Sequence, residues 1–92
     1  MDLAEIWSYL ALEADEEIAT QFLARIASRF EVAASFPGIG SPRPELSPEV
    51  RALFEGRYAV YYVVRGNEVV IVRVLHGSRD VEGIAGHGGF IL

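Results

Sequence analysis

The chain has 92 residues, enough for one compact domain and too few for two. Just over half of them are hydrophobic (51%) and none is cysteine, which excludes a disulfide-stapled secreted scaffold and a thiolate metal site. The formal net charge is −5, which makes the chain a poor candidate for general nucleic-acid binding, because that depends on neutralising phosphates.

The chain opens Met1-Asp2-Leu3-Ala4-Glu5-Ile6-Trp7, with no basic stretch leading into an apolar run, so no signal peptide is expected. Leu3, Ile6, Trp7 and Leu10 follow the i, i+3, i+4, i+7 spacing of an amphipathic helix beginning at Asp2. Glu13-Ala14-Asp15 interrupts that pattern. Asp15 is a suitable N-cap for a second helix, with Glu16 and Glu17 in its first turn opposing the dipole. Ile18, Phe22, Ile26, Phe30 and Ala33 form its apolar stripe, and Phe36-Pro37-Gly38 ends it. The short link predicts an antiparallel helical hairpin, with Trp7 in the core between hairpin and sheet.

Gly38 to Pro44 is dense in turn formers and reads as an ordered loop. The period then changes to two. Strands are expected over Val50–Phe54, Arg57–Val64 and Glu68–Leu75, with Gly66-Asn67 as a hairpin turn. In the last strand Val70, Val72 and Val74 should face one way, and Val69, Ile71, Arg73 and Leu75 the other. Tyr58, Tyr61 and Tyr62 read as core and interface residues. The fold class is therefore α+β, a helical hairpin packed on an antiparallel sheet of about three strands. From Val81 to Leu92 four of twelve residues are glycine, which suggests a flexible tail (81–92) after a domain of residues 1–80. No apolar stretch approaches the roughly 18 residues of a membrane helix, and the chain reads as cytoplasmic.

Charge is unevenly placed. Residues 1–36 carry a net −5, whereas residues 37–92 are neutral, and all eight basic residues are arginine. That pattern fits either bidentate recognition of carboxylate or phosphate, or an arginine-rich codon usage.

Four segments, in this order, resemble the ParE branch of the RelE/ParE toxin superfamily, often called plasmid stabilisation proteins. They are Asp2-Leu3-Ala4-Glu5-Ile6-Trp7-Ser8-Tyr9-Leu10, then Phe36-Pro37-Gly38-Ile39-Gly40 with Arg43-Pro44-Glu45-Leu46. Next come Gly56-Arg57-Tyr58 leading into Val60-Tyr61-Tyr62, and lastly Ile71-Val72-Arg73-Val74-Leu75-His76-Gly77-Ser78-Arg79-Asp80. The family ordinarily carries a β-strand ahead of its first helix. Here the first helix starts at Asp2, so the sheet edge that strand would occupy is expected to be covered by Phe90-Ile91-Leu92 or by a second chain.

The resemblance implies one of two activities. ParE-like members poison DNA gyrase without being enzymes, whereas RelE-like members cleave messenger RNA on the ribosome. The acidic charge favours the first, and a degenerate, non-toxic binding module is a third reading. It also implies a cognate antitoxin with a ribbon-helix-helix half, reaching DNA only indirectly. That antitoxin's disordered tail would wrap the groove beside the helices and the sheet edge. Homo- or hetero-oligomers are open, and no membrane partner is expected.

Five residues are candidates for contact with partners: Arg57, Arg73, His76, Arg79 and Asp80. If the chain is an endoribonuclease, Arg57, His76 and Arg79 would be its catalytic set, with His76 the acid–base group because histidine titrates near neutrality. Each also has a plain structural reading. His76 can pack at a strand end, Arg57 can pair with Glu55 or another acid, Arg73 can sit in an ion pair, and Arg79 with Asp80 can close a turn. His87 reads as a loop residue. The carboxylates Glu13, Asp15, Glu16 and Glu17 flank a helix start without metal-ligand spacing, so neither metal nor cofactor is expected.

Overall fold

In a computed structural model that describes residues 2–77, helix α1 spans Asp2–Glu13 and α2 spans Glu16–Ser35. Asp15 caps α2, its Oδ1 accepting from the Ile18 amide at 2.8 Å, with Glu16 and Glu17 in the first turn. Only Ala14 and Asp15 separate the helices, so they fold back on each other, and Trp7 Nε1 donates across the hairpin to Thr20 Oγ1 at 3.3 Å. Trp7 thus lies half-buried between the helices, not in the core beneath them. The stripe of α2 is also displaced at its start. Ala19 is buried there, whereas Ile18 is exposed.

The sheet has four antiparallel strands in the order β1-β2-β3-β4, one more than the sequence suggested. They are β1 (Ser41–Pro42), β2 (Arg51–Glu55), β3 (Tyr58–Arg65) and β4 (Glu68–His76). The extra strand lies within the expected loop, where Ser41 pairs with Ala52 and Pro42 with Arg51. Proline is tolerated there because, among the described residues, β1 is an edge strand whose outer side forms no ladder. Two-residue turns at Gly56-Arg57 and Gly66-Asn67 join the three longer strands, each with its glycine at positive φ (57° and 60°).

Apolar side chains pack on both faces of this sheet. Toward the helices, Val60, Val74 and Ile71 meet Ile6, Ile26, Phe22 and Phe30. On the opposite face, Ala52, Ala59, Tyr61, Val63 and Leu75 are joined by Leu46 and Val50 from the segment ahead of β2, with Val70 and Val72 at the margin. The expected alternation of β4 does not hold along its length. Tyr61 pairs with Arg73 and Tyr62 with Ile71, so Val72 is an extra residue with no partner. Such a bulge shifts the alternation by one position. Val70, Val72 and Leu75 therefore belong to one cluster, and Ile71 and Val74 to the other.

The connector after α2 is held from beneath. Tyr62 is fully buried, and its hydroxyl accepts from the Gly40 amide at 2.9 Å and donates to the Pro37 carbonyl at 2.8 Å. Arg51 Nη1 adds bonds to the carbonyls of Gly40 (2.7 Å) and Gly38 (3.2 Å). The Phe36-Pro37-Gly38-Ile39-Gly40 segment is thus a strap in which two side chains from the sheet satisfy the Gly40 amide and the carbonyls of Pro37, Gly38 and Gly40. The described residues contain no helix long and apolar enough to cross a membrane. The tail (81–92), His87 and the expected edge cover by Phe90-Ile91-Leu92 lie outside them.

Candidate functional site

Tyr58 begins β3 and His76 ends β4, and antiparallel pairing sets them opposite each other. Their rings meet edge to face at 5.0 Å. Tyr58 also packs on Phe22 of α2 at 5.1 Å with the planes tilted by 57°, and the Arg25 guanidinium lies over the Phe22 ring at 5.2 Å. An arginine, two aromatic rings and an imidazole therefore run in contact from α2 across the end of the sheet. Burial, with the nearby Tyr9 phenol as a lesser cause, raises the Tyr58 phenol above its ordinary value.

Glu55, the last residue of β2, anchors this end. Its carboxylate faces Arg25 Nε at 3.8 Å and Arg29 Nε at 3.5 Å. The expected pairing of Arg57 with Glu55 is therefore replaced by two arginines from α2. Glu55 pairs with Tyr58 across the turn and shares its helix-facing side, whereas Arg57 stands in the turn itself. The backbone of Arg57 is tied to the end of β4, because its carbonyl accepts from the Gly77 amide at 2.7 Å. Its side chain is exposed and makes no ion pair with any described residue.

The structure thus brings Arg57 and His76 to the same end of β3 and β4, and it separates Arg73 from them. Arg73 is half-buried opposite Tyr61, on the sheet face that packs against the loop segment carrying Leu46. On that face Arg43 Nε bonds Glu45 Oε2 at 2.7 Å, holding the Glu45 carboxyl below its ordinary value. Arg79 and Asp80 lie outside the described residues. Among the described residues no group of three or more histidine, aspartate or glutamate side chains is placed to hold a metal ion.

Sequence reasoning missed Phe22, Arg25, Arg29 and Glu55 as one group. The spacing of Phe22, Arg25 and Arg29 (i, i+3, i+7) does put them on one helix face. Reading Phe22 only as core hid the fact that its ring edges the core and carries a cation.

A second feature lies farther along β4. A groove of about 530 Å³ runs between α1, α2 and the outer edge of this strand, lined by Leu3, Glu5, Phe30, Ile71, Arg73 and Val74 among others. Among the described residues β4 forms ladder pairs only with β3. The apolar lining suits an extended segment that lays side chains into the groove.

The sequence matches the family described as the ParE toxin of the type II toxin–antitoxin system parDE, over residues 1–81. It is 34% identical over 79 residues to Toxin ParE1 of Caulobacter vibrioides, covering 86% of this chain and 81% of that protein. Toxin ParE1 of Mycobacterium tuberculosis is 33% identical over 81 residues, 87% of this chain and 83% of its own length. Toxin ParE3 of Caulobacter vibrioides is 34% identical over 65 residues, 71% and 65% of the two chains.

Proposed function

The chain belongs to the ParE toxin family of type II toxin–antitoxin systems, and from that premise we propose that it acts in the cytoplasm as a toxin directed at DNA gyrase and neutralised by a cognate antitoxin. The observation that carries this reading is the family match over 1–81 on a fold whose aromatic end uses His76 as a packing group. An RNA-cleaving site needs an acid–base group free to approach the scissile phosphate. Here the imidazole is stacked on Tyr58, which in turn packs on Phe22. The acidic charge also disfavours a protein that must work among ribosomal phosphates.

The antitoxin reading rests on the groove. A ribbon-helix-helix antitoxin with a disordered tail could fold along it, covering the apolar surface that a domain of this size exposes. Contact with DNA would then run through the antitoxin alone.

The test is timed incorporation of labelled DNA and protein precursors after tight induction in a bacterial host that lacks the antitoxin. DNA synthesis should fall first. If protein synthesis falls first, and the His76→Ala and Arg57→Ala proteins lose their effect, the endoribonuclease reading replaces this one.

A further inference from the structure

The groove leaves one well-built surface unused. Arg25, Phe22, Tyr58 and His76 stand in contact beyond the Val74 end of that groove, with Tyr9 exposed on α1 and Arg57 exposed in the β2–β3 turn. None of these residues lines the groove, although Val74 of its lining lies two positions before His76 on β4.

One carboxylate, Glu55, faces two arginines, and Arg57 has no acidic partner among the described residues. The Arg25 side chain is 55% exposed, although it sits on Phe22 and near Glu55. Arginine and aromatic side chains in contact, partly desolvated and ringed by polar groups, have the composition of interface hot spots. A guanidinium stacked on a ring keeps its outward N–H groups for a bidentate carboxylate.

Resting on the toxin reading, we propose that Arg25 and Arg57, flanking the Phe22–Tyr58–His76 stack, form the docking surface for the toxin's protein target, which meets it with carboxylates set beside an apolar side chain. A protein surface suits this end better than a nucleic acid does. The same helical hairpin carries Glu13, Asp15, Glu16 and Glu17, and the first 36 residues sum to −5, so a phosphate backbone running past two arginines would meet repulsion along its length. A local carboxylate pair can engage the arginines without crossing that acidic hairpin.

The experiment induces the wild type, Arg25→Glu/Arg57→Glu, Arg25→Lys/Arg57→Lys and, as a control at the far end of β3, Arg65→Gln. All are expressed in a host without the antitoxin, and each is also co-expressed with the tagged antitoxin. Survivors, DNA synthesis, co-purification with the antitoxin and melting temperature are read for each. The charge-reversed protein should stay folded and co-purify with the antitoxin, melting slightly lower because Arg25→Glu sets a carboxylate beside Glu55, while killing at least about tenfold less well. The lysine protein should fall between them, because it keeps charge and loses the planar fork. Arg65→Gln should kill like the wild type. Charge-reversed protein that kills as well as the wild type overturns the proposal. So does charge-reversed protein that loses antitoxin binding with toxicity unchanged, since the end would then serve the antitoxin. A harmless wild type would instead overturn the toxin reading, and this inference with it.

Discussion

Replacing Gly40 with alanine tests the strap most directly. A Cβ there would stand 2.6 Å from the Tyr62 hydroxyl, 2.8 Å from Cε1 and 3.0 Å from Cζ. Tyr62 has no exposed surface and cannot swing away without disturbing β3. Forcing a methyl into a filled site destabilises by about 1–3 kcal/mol. If the ring retreats, the bonds from the Gly40 amide and to the Pro37 carbonyl weaken together, at about 1 kcal/mol each. A total of about 3 kcal/mol is a large share of the roughly 5–15 kcal/mol that holds a domain folded. In a chain of 92 residues it should lower the melting temperature by roughly 12–24 °C. The assay is thermal and urea unfolding followed by circular dichroism at fixed protein concentration. Tyr62→Phe should itself destabilise by about 1–3 kcal/mol, because it strands the Gly40 amide. In that background Gly40→Ala should add less than it does alone, since the nearest atom is gone while Cε1 and Cζ remain. A Gly40→Ala protein melting within a degree or two of the wild type would refute the reasoning.

Asp15→Ala should destabilise by about 1 kcal/mol, because it removes the side chain that satisfies the Ile18 amide, and Asp15→Asn should recover most of that in urea unfolding. Burial raises the phenols of Tyr58 and Tyr61 above the ordinary value of 10.0. The folded state therefore favours the protonated phenol, and this stability is intact below the unfolded value and lost as pH rises through the folded values. Alkaline titration of ultraviolet absorbance should show a late-rising fraction that shrinks in Tyr58→Phe and in Tyr61→Phe. The Glu45 carboxyl is held low by its bond from Arg43, so its contribution is present above the ordinary glutamate value and lost as pH falls through the folded one. The difference in melting temperature between wild type and Glu45→Gln should accordingly shrink toward zero in strong acid.

The sequence made some of this architecture legible because the relevant physics is local. Asp15 caps α2 through a bond to an amide three residues on, and Gly66-Asn67 turns a hairpin whose flanking strands are rich in β-branched residues. The bulge at Val72 is not local. Val69-Val70-Ile71-Val72 is chemically uniform, so no residue marks where the extra position falls. The site is fixed by what each face must meet, with Ile71 and Val74 needed against the helices and Val72 and Leu75 against the other cluster. The two-residue strand was hidden for a similar reason. Ser41-Pro42 has no strand character of its own, and it pairs because Tyr62 and Arg51 fix the strap beside β2.

The candidate site shows the same division. His76 and Arg57 were legible as residue types, but their surroundings depend on contacts between distant parts of the chain. Glu55 and Arg57 are two positions apart, which invites pairing them, yet a tight turn separates their directions. Glu55 shares the helix-facing side with Tyr58, where α2 supplies Arg25 and Arg29. Once two arginines share that carboxylate, the turn arginine has no claim on it. Arg57 is consequently the cation that the fold holds by its backbone, through the bond from Gly77, while leaving its side chain in solvent. That combination of fixed backbone and exposed charge suits contact with another molecule. It arises from the packing of α2 on the sheet rather than from any motif around position 57.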